Sequence, residues 1–129
     1  MRPLSIGSSP FERLVVWQRA MDLADRVHVL TRNAAPRFRF ALADPMNRSA
    51  ISIPSNIAEG AGRFSPREFC RFVGIARGSV RELETQLLLG IRVGMVRAGD
   101  AAEPLIWAAD VGRMLSRLGS SLRRAAEDG

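Results

Sequence analysis

Apolar residues recur through nearly the whole chain at steps of three and four, and nowhere do they alternate at steps of two between turn signals. That spacing lays one apolar stripe along a helix and leaves no half-buried strand face, so the chain is confined to helices packed on helices. Val16, Ala20, Leu23, Val27 and Leu30 form a first seam, broadened by Trp17, Met21 and Ala24. Met46, Ala50, Ile53, Ile57 and Ala61 form a second, widened by Ile51 and Ala58. Phe69, Phe72, Val73, Ala76, Val80, Leu83, Leu87 and Ile91 make the longest, and Leu105, Ala108, Val111, Leu115, Leu118 and Leu122 make the last.

Capping signals divide these stripes. Ser9-Pro10-Phe11-Glu12 and Ser65-Pro66-Arg67-Glu68 each offer a serine cap, a proline at the first helical position and a glutamate three residues after the cap. Asp44-Pro45 and Asp100-Ala101-Ala102-Glu103 are further starts. The spacing predicts helices over about 10–33, 45–60, 66–93 and 101–124, with an unanchored tail to Ser8 and frayed residues after Arg124. Arg37-Phe38-Arg39-Phe40, just after Pro36, reads as a short connector packed by its rings. Pro54 lacks an amide hydrogen and crowds the carbonyl of Ala50, yet the stripe keeps its phase across it, which predicts one bent helix. Gly60 to Gly62 predict a left-handed exit from that helix, and Gly94 a stop for the next. Four long helices with short links in 129 residues predict a single all-α domain, an antiparallel up-and-down four-helix bundle. Ile75, Leu88 and Leu89 lie off the core stripe of their helix and predict a surface for a partner.

Nineteen basic residues, all arginine, stand against thirteen acidic ones, and the resulting charge of +6 permits attraction to RNA or DNA. The lone Cys70 has no disulfide partner and no ligand cluster, which fits a reducing compartment. No apolar run reaches the roughly 18 residues of a membrane span, and the opening residues lack the apolar core of a signal peptide, so the expectation is a cytoplasmic protein with no membrane partner. His28, the only histidine, sits at the edge of the first seam and reads as a packed residue. Gly60 and Gly62 resemble part of a phosphate loop without its lysine or preceding strand, which argues against nucleotide hydrolysis. Neither a cofactor, a metal nor a small-molecule substrate is indicated.

Arg48, Ser52, Asn56, Glu59 and Arg63 step by four, four, three and four, so they form a polar stripe roughly opposite the apolar one of the second helix. Two readings compete. Arg48 and Arg63 can bind phosphates while Asn56 and Glu59 orient them or meet bases. Alternatively the stripe is an internal network with Ser79, Glu82 and Gln86 of the third helix, Arg48 pairing with Glu82, Asn56 with Ser79 or Gln86, and Glu59 with an arginine. The network is the stronger reading, because both helices carry complementary groups. Glu59 and Glu82 have no histidine, metal cluster or nucleophile beside them, so an enzyme is not expected.

Trp17-Gln18, Arg48-Ser49-Ala50, the run Ser52-Ile53-Pro54-Ser55-Asn56-Ile57-Ala58-Glu59-Gly60, then Arg63, Gly78-Ser79 and the run Glu82-Leu83-Glu84-Thr85-Gln86-Leu87 resemble the four-helix bundle protein family encoded in intervening sequences of bacterial 23S ribosomal RNA genes. The likeness covers about residues 11–96 and departs from the family pattern at Pro45 and in the connector before it. It implies a ring-shaped homo-oligomer, typically a homopentamer, and kinship with accessory proteins of diversity-generating retroelements, which bind a reverse transcriptase and nucleic acid. For most members it implies no activity. Two classes of function follow, a nucleic-acid or ribonucleoprotein accessory factor and a protein–protein interaction scaffold without nucleic acid. The placement of Arg77, Arg81, Arg92 and Arg97 on the third helix and of Arg113, Arg117, Arg123 and Arg124 on the fourth is what separates them.

Overall fold

The computed structural model describes residues 10–128, and every regular element among them is helical. Four long helices carry the fold: α1 (Val15–Thr31), α2 (Asp44–Ala61), α3 (Pro66–Arg92) and α4 (Ala98–Asp128). Their directions follow from which residues meet. Ser49 and Ser52 of α2 reach Glu82 and Ser79 of α3, so one number rises as the other falls and the helices are antiparallel. In the same sense Val73 and Val80 of α3 approach Gly119 and Gly112 of α4. Arg26 of α1 pairs with Glu103 of α4, while Arg19 and Asp22 share a cavity wall with Asp110. Thr31 meets Asn47, and Trp17 lines one cleft with Ala58, which makes α1 and α2 antiparallel too. The result is the up-and-down four-helix bundle, each helix packed on its chain neighbours and α4 closing on α1.

The core is built from the stripes. Leu23, Val27, Met46, Ile53, Ile57, Val73, Leu83, Leu87, Val111 and Leu115 are excluded from solvent and belong to one cluster drawn from all four helices. Each large apolar side chain buried there contributes roughly 1.5–3 kcal/mol, so the stripes supply the driving force and the polar residues set the register. α3 starts as the sequence predicts, with the Glu68 amide donating to Ser65 Oγ at 3.1 Å, and after its end at Arg92 the chain turns away through Gly94, whose φ of +83° is the left-handed conformation a glycine accepts freely.

Several boundaries differ from the sequence reading. Ser9 lies outside the described residues, and Pro10–Arg13 form a 3-10 turn that an extended Leu14 separates from α1. That break lets Phe11 fold back edge-on against Trp17, with ring centroids 5.2 Å apart. The expected connector after Pro36 is helical throughout: an α turn at Pro36–Phe38 passes into a π turn at Arg39–Ala43 and then directly into α2. Ala43 already has helical dihedrals, so Asp44-Pro45 is an internal step and not a cap. The wide turn turns Leu42 and Ala43 inward and leaves Phe40 at 85% exposure. α2 continues through Pro54 without interruption and leaves through Gly62 at φ −84°, so no left-handed glycine ends it. α4 begins at Ala98 instead of 101 and includes a buried Pro104. It also persists to Asp128, past the predicted frayed end, where Ala125 and Ala126 favour the helix.

Gly60 has a different task from the one its sequence suggests. A Cβ there would lie 2.7 Å from Phe72 Cβ and 2.8 Å from Phe69 Cδ1, so this glycine is what lets the end of α2 close on the start of α3. Gly60→Ala is therefore expected to destabilise the fold by about 1–3 kcal/mol through overpacking. Gly78→Ala, which meets open space inside α3, should raise stability by roughly 0.5–1 kcal/mol. Chemical denaturation of the two variants measures both, and equal effects would refute the close-approach role.

Candidate functional site

α2 turns its apolar stripe to the core, which leaves two flanks. Ser49, Ser52 and Asn56 fall on the flank against α3, and Asn47, Ile51, Pro54 and Ala58 on the flank against α1. The α3 flank carries a short polar seam. Ser49 Oγ donates to Glu82 Oε1 at 2.9 Å, Ser52 Oγ lies 2.9 Å from Ser79 Oγ, and Asn56 Nδ2 donates back to the Ser52 carbonyl at 2.8 Å and to Ser52 Oγ at 3.0 Å. Ser49 and Ser79 are buried, so these bonds satisfy groups that water cannot reach.

The seam is an internal network, but its partners are not the ones the sequence suggests. Glu82 is met by Ser49, not Arg48, and Asn56 reaches α3 only through Ser52. Gln86 makes no such link, and its Oε1 is buried without a partner among the described residues. Glu59 does not cross to α3. It takes an exposed hydrogen bond from Arg63 Nη2 at 2.9 Å, one helical turn further on. Arg63 in turn lies over the Phe72 ring, 4.9 Å from its centroid, with Arg71 also 4.5 Å from that centroid, so the α2–α3 corner is pinned by a ring shared between two guanidinium groups.

Ser49 escapes notice in the sequence because Arg48 beside it fits the four-residue step better on paper. The steps 49, 52, 56 of three and four describe the inward polar edge, and that signal was available. Asn47 was not legible. Its Nδ2 donates to Thr31 Oγ1 at 2.7 Å and to the Ala43 carbonyl at 2.9 Å, a junction between the end of α1 and the start of α2 that only the folded chain creates.

Arg48 faces the other flank. It lines an open cavity of about 550 Å³ with Arg32, Arg39, His28 and Asp44. Arg48 and Arg63, paired in the phosphate-binding reading, thus belong to different surfaces. On the opposite side of the bundle, Arg81 and Arg117 border one cavity between α3 and α4 with Arg113, but Arg81 is paired with Glu84 and Arg113 with Asp110. Cys70 is half buried and donates to the Gly119 carbonyl, the position of a packing residue at the core edge. Among the described residues no group of three His, Cys, Asp or Glu side chains is placed to hold a metal ion, and no helix is long and apolar enough to cross a membrane.

A protein-family model described as 23S rRNA-intervening sequence protein matches residues 12–117. No curated protein matches the chain.

The seam and the exposed pair predict different responses to truncation. Ser52→Ala removes the hydroxyl shared by Ser79 and Asn56 and is expected to cost about 1–2 kcal/mol, since Ser79 is left buried without its partner. Glu59→Ala breaks only an exposed pair and is expected to change stability by less than about 0.5 kcal/mol. Thermal melts of both variants provide the comparison. A Glu59→Ala loss as large as that of Ser52→Ala would mean that Glu59 is part of the structural network after all.

Proposed function

The chain belongs to the 23S rRNA-intervening sequence protein family, and from that premise we propose that it is a non-enzymatic, oligomeric helical bundle that binds RNA or DNA as an accessory factor. The observation that carries this reading is the surplus of guanidinium groups without an ion pair among the described residues. Arg32, Arg39 and Arg48 at one cavity, and Arg77, Arg92, Arg97, Arg117, Arg123 and Arg124 on α3, α4 and the turn between them, make no ion pair with a described residue. An arginine held by a carboxylate has spent its charge locally, whereas an unpaired one is free to displace counterions from a phosphate backbone. Arg81 and Arg113 are the opposite case and favour a scaffold role for the α3–α4 face.

The oligomer is supported by apolar exposure on α3. Ile75, Leu89 and Val93 are each more than two-fifths exposed and recur on one stripe of the helix, with Gly78 between them leaving open space. Leu88 is more exposed still, at 57%. A second copy covering this stripe gives a homo-oligomer, and a pentamer is the ring that the family likeness implies.

Binding to a labelled single strand and to a duplex is expected at low ionic strength, with affinity falling steeply and linearly on a double-logarithmic salt plot. Fluorescence anisotropy across a salt series measures it. If neither probe binds at low salt, the protein is the scaffold. Sedimentation velocity at micromolar concentration is expected to give a single species heavier than the monomer, and Leu89→Glu should lower that mass; a monomeric wild type would rule out the oligomer.

A further inference from the structure

Two cavities open side by side along the face between α1 and α2, and His28, Asn47 and Ile51 border both. They differ in chemistry. The first, of about 550 Å³, is walled by Arg32 at the end of α1, Arg39 in the wide turn and Arg48 on α2. The second, of about 570 Å³, is walled mainly by Phe11, Trp17, Met21 and Pro54, with Asp25 its one carboxylate. Each is of the size that takes a small-molecule fragment.

The cationic end is not a solvated face balanced by carboxylates. None of its three arginines makes an ion pair with a described residue, and Asp44 is the one carboxylate in its lining. The C-terminus of α1 adds about half a negative charge. Three guanidinium charges against one carboxylate and that half charge leave the cavity positive. Its rim is fixed, because the Asn47 amide is held by Thr31 and the Ala43 carbonyl. The apolar end is prepared as well: Phe11 holds Trp17 edge-on, while Met21 and Ile51 stand 45% and 57% exposed.

A ligand that satisfies both ends carries an anion and a flat apolar group a short distance apart. A nucleotide unit of a strand has that composition. Guanidinium groups take its phosphate oxygens, and an indole or thioether wall takes the face of its base. In a duplex the base faces are stacked inside and cannot enter such a groove, so only an unpaired strand fills the two cavities together. We propose that the α1–α2 cleft seats a single-stranded segment of RNA or DNA, with phosphates at Arg32, Arg39 and Arg48 and an unstacked base against Trp17, Met21 and Ile51. This rests on the nucleic-acid reading above and adds to it a place and a preference for single strands.

The test uses the full chain with labelled single-stranded RNA, single-stranded DNA and duplex probes of equal length. Single strands are expected to bind at least about tenfold tighter than duplex, because stacking on the aromatic wall is lost with the latter. Stronger binding of the RNA strand than the DNA strand would assign a contact to the 2′-hydroxyl, and equal binding would assign phosphate and base alone. The double variant Arg39→Gln with Arg48→Gln should weaken binding far more than Arg19→Gln with Arg67→Gln, which removes the same charge elsewhere. Neither pair makes a hydrogen bond or ion pair with a described residue, so both variants are expected to melt like the wild type. In a Trp107→Phe background, Trp17 emission should change on saturation with a strand.

Equal weakening by the two double variants, or unchanged Trp17 emission with binding intact, would overturn the cleft while leaving nucleic-acid binding in place. No binding by the wild type to any probe overturns both. If Met21→Glu lowers the sedimenting mass, the groove is a contact between copies of the chain and the proposal fails.

Discussion

The close approach of α2 to α3 is the constraint on which the rest of the structure depends. Gly60 lets backbone meet the Phe69 ring and the Phe72 Cβ where any side chain would collide, and that contact fixes the end of α2 against the start of α3. From that fixed corner the antiparallel register runs upward: Ser52 falls opposite Ser79, Ser49 opposite Glu82, and Gly90 comes beside Met46 at the far end. A small residue at each end and small hydroxyls between them keep the two helices close along their whole shared length. The apolar stripes alone do not specify this, since Ile53, Ile57, Leu83 and Leu87 can be buried in more than one offset.

The seam between the helices adds specificity more than energy. Each neutral hydrogen bond contributes about 1 kcal/mol net, less than one buried isoleucine, but a shift by one helical turn would leave Ser49 and Ser79 buried without partners. That penalty separates the observed register from its neighbours. Glu82 makes the arrangement cheap, because its side chain stays exposed while one oxygen reaches Ser49, so no charge is carried into the core. Gln86, by contrast, has a buried oxygen without a partner among the described residues, and the fold offers no account of it.

The legible parts of the fold are those set by local chemistry. Ser65 and Pro66 begin α3 because a serine cap and a proline need nothing from elsewhere in the chain, and Val16, Leu23, Ile53, Leu83 and Leu115 are buried where their spacing places them. What escaped is set by tertiary contact. Asp44-Pro45 looks like a helix start, but Leu42 and Ala43 are drawn into the core and carry the helix backward past it. The polar stripe was legible as a set and not as pairs. Ser52, Asn56, Ser79 and Glu82 are brought together, whereas Arg48 is turned to α1, and Glu59 and Arg63 are left on the surface with each other. A periodicity fixes direction to within a sector, and the difference between Arg48 and Ser49 is smaller than that sector.

The wide turn at Arg39–Ala43 shows how a local irregularity composes a surface. In a regular α-helix nine residues advance the azimuth by 900°, which would place Arg39 and Arg48 on opposite sides of one continuous helix. A π turn advances only roughly 80° per residue, so crossing it removes about a quarter turn from that separation. Arg39 is thereby swung from the side opposite Arg48 toward it, and both come to line the cavity that also receives Arg32 from the end of α1. The same turn sends Phe40 outward and Leu42 inward, so the burial of one apolar side chain and the exposure of another accompany the gathering of charge. Strengthening the turn into a regular helix would therefore dissolve the cationic cavity without touching an arginine. The gathering of positive charge on this face belongs to the backbone as much as to its side chains.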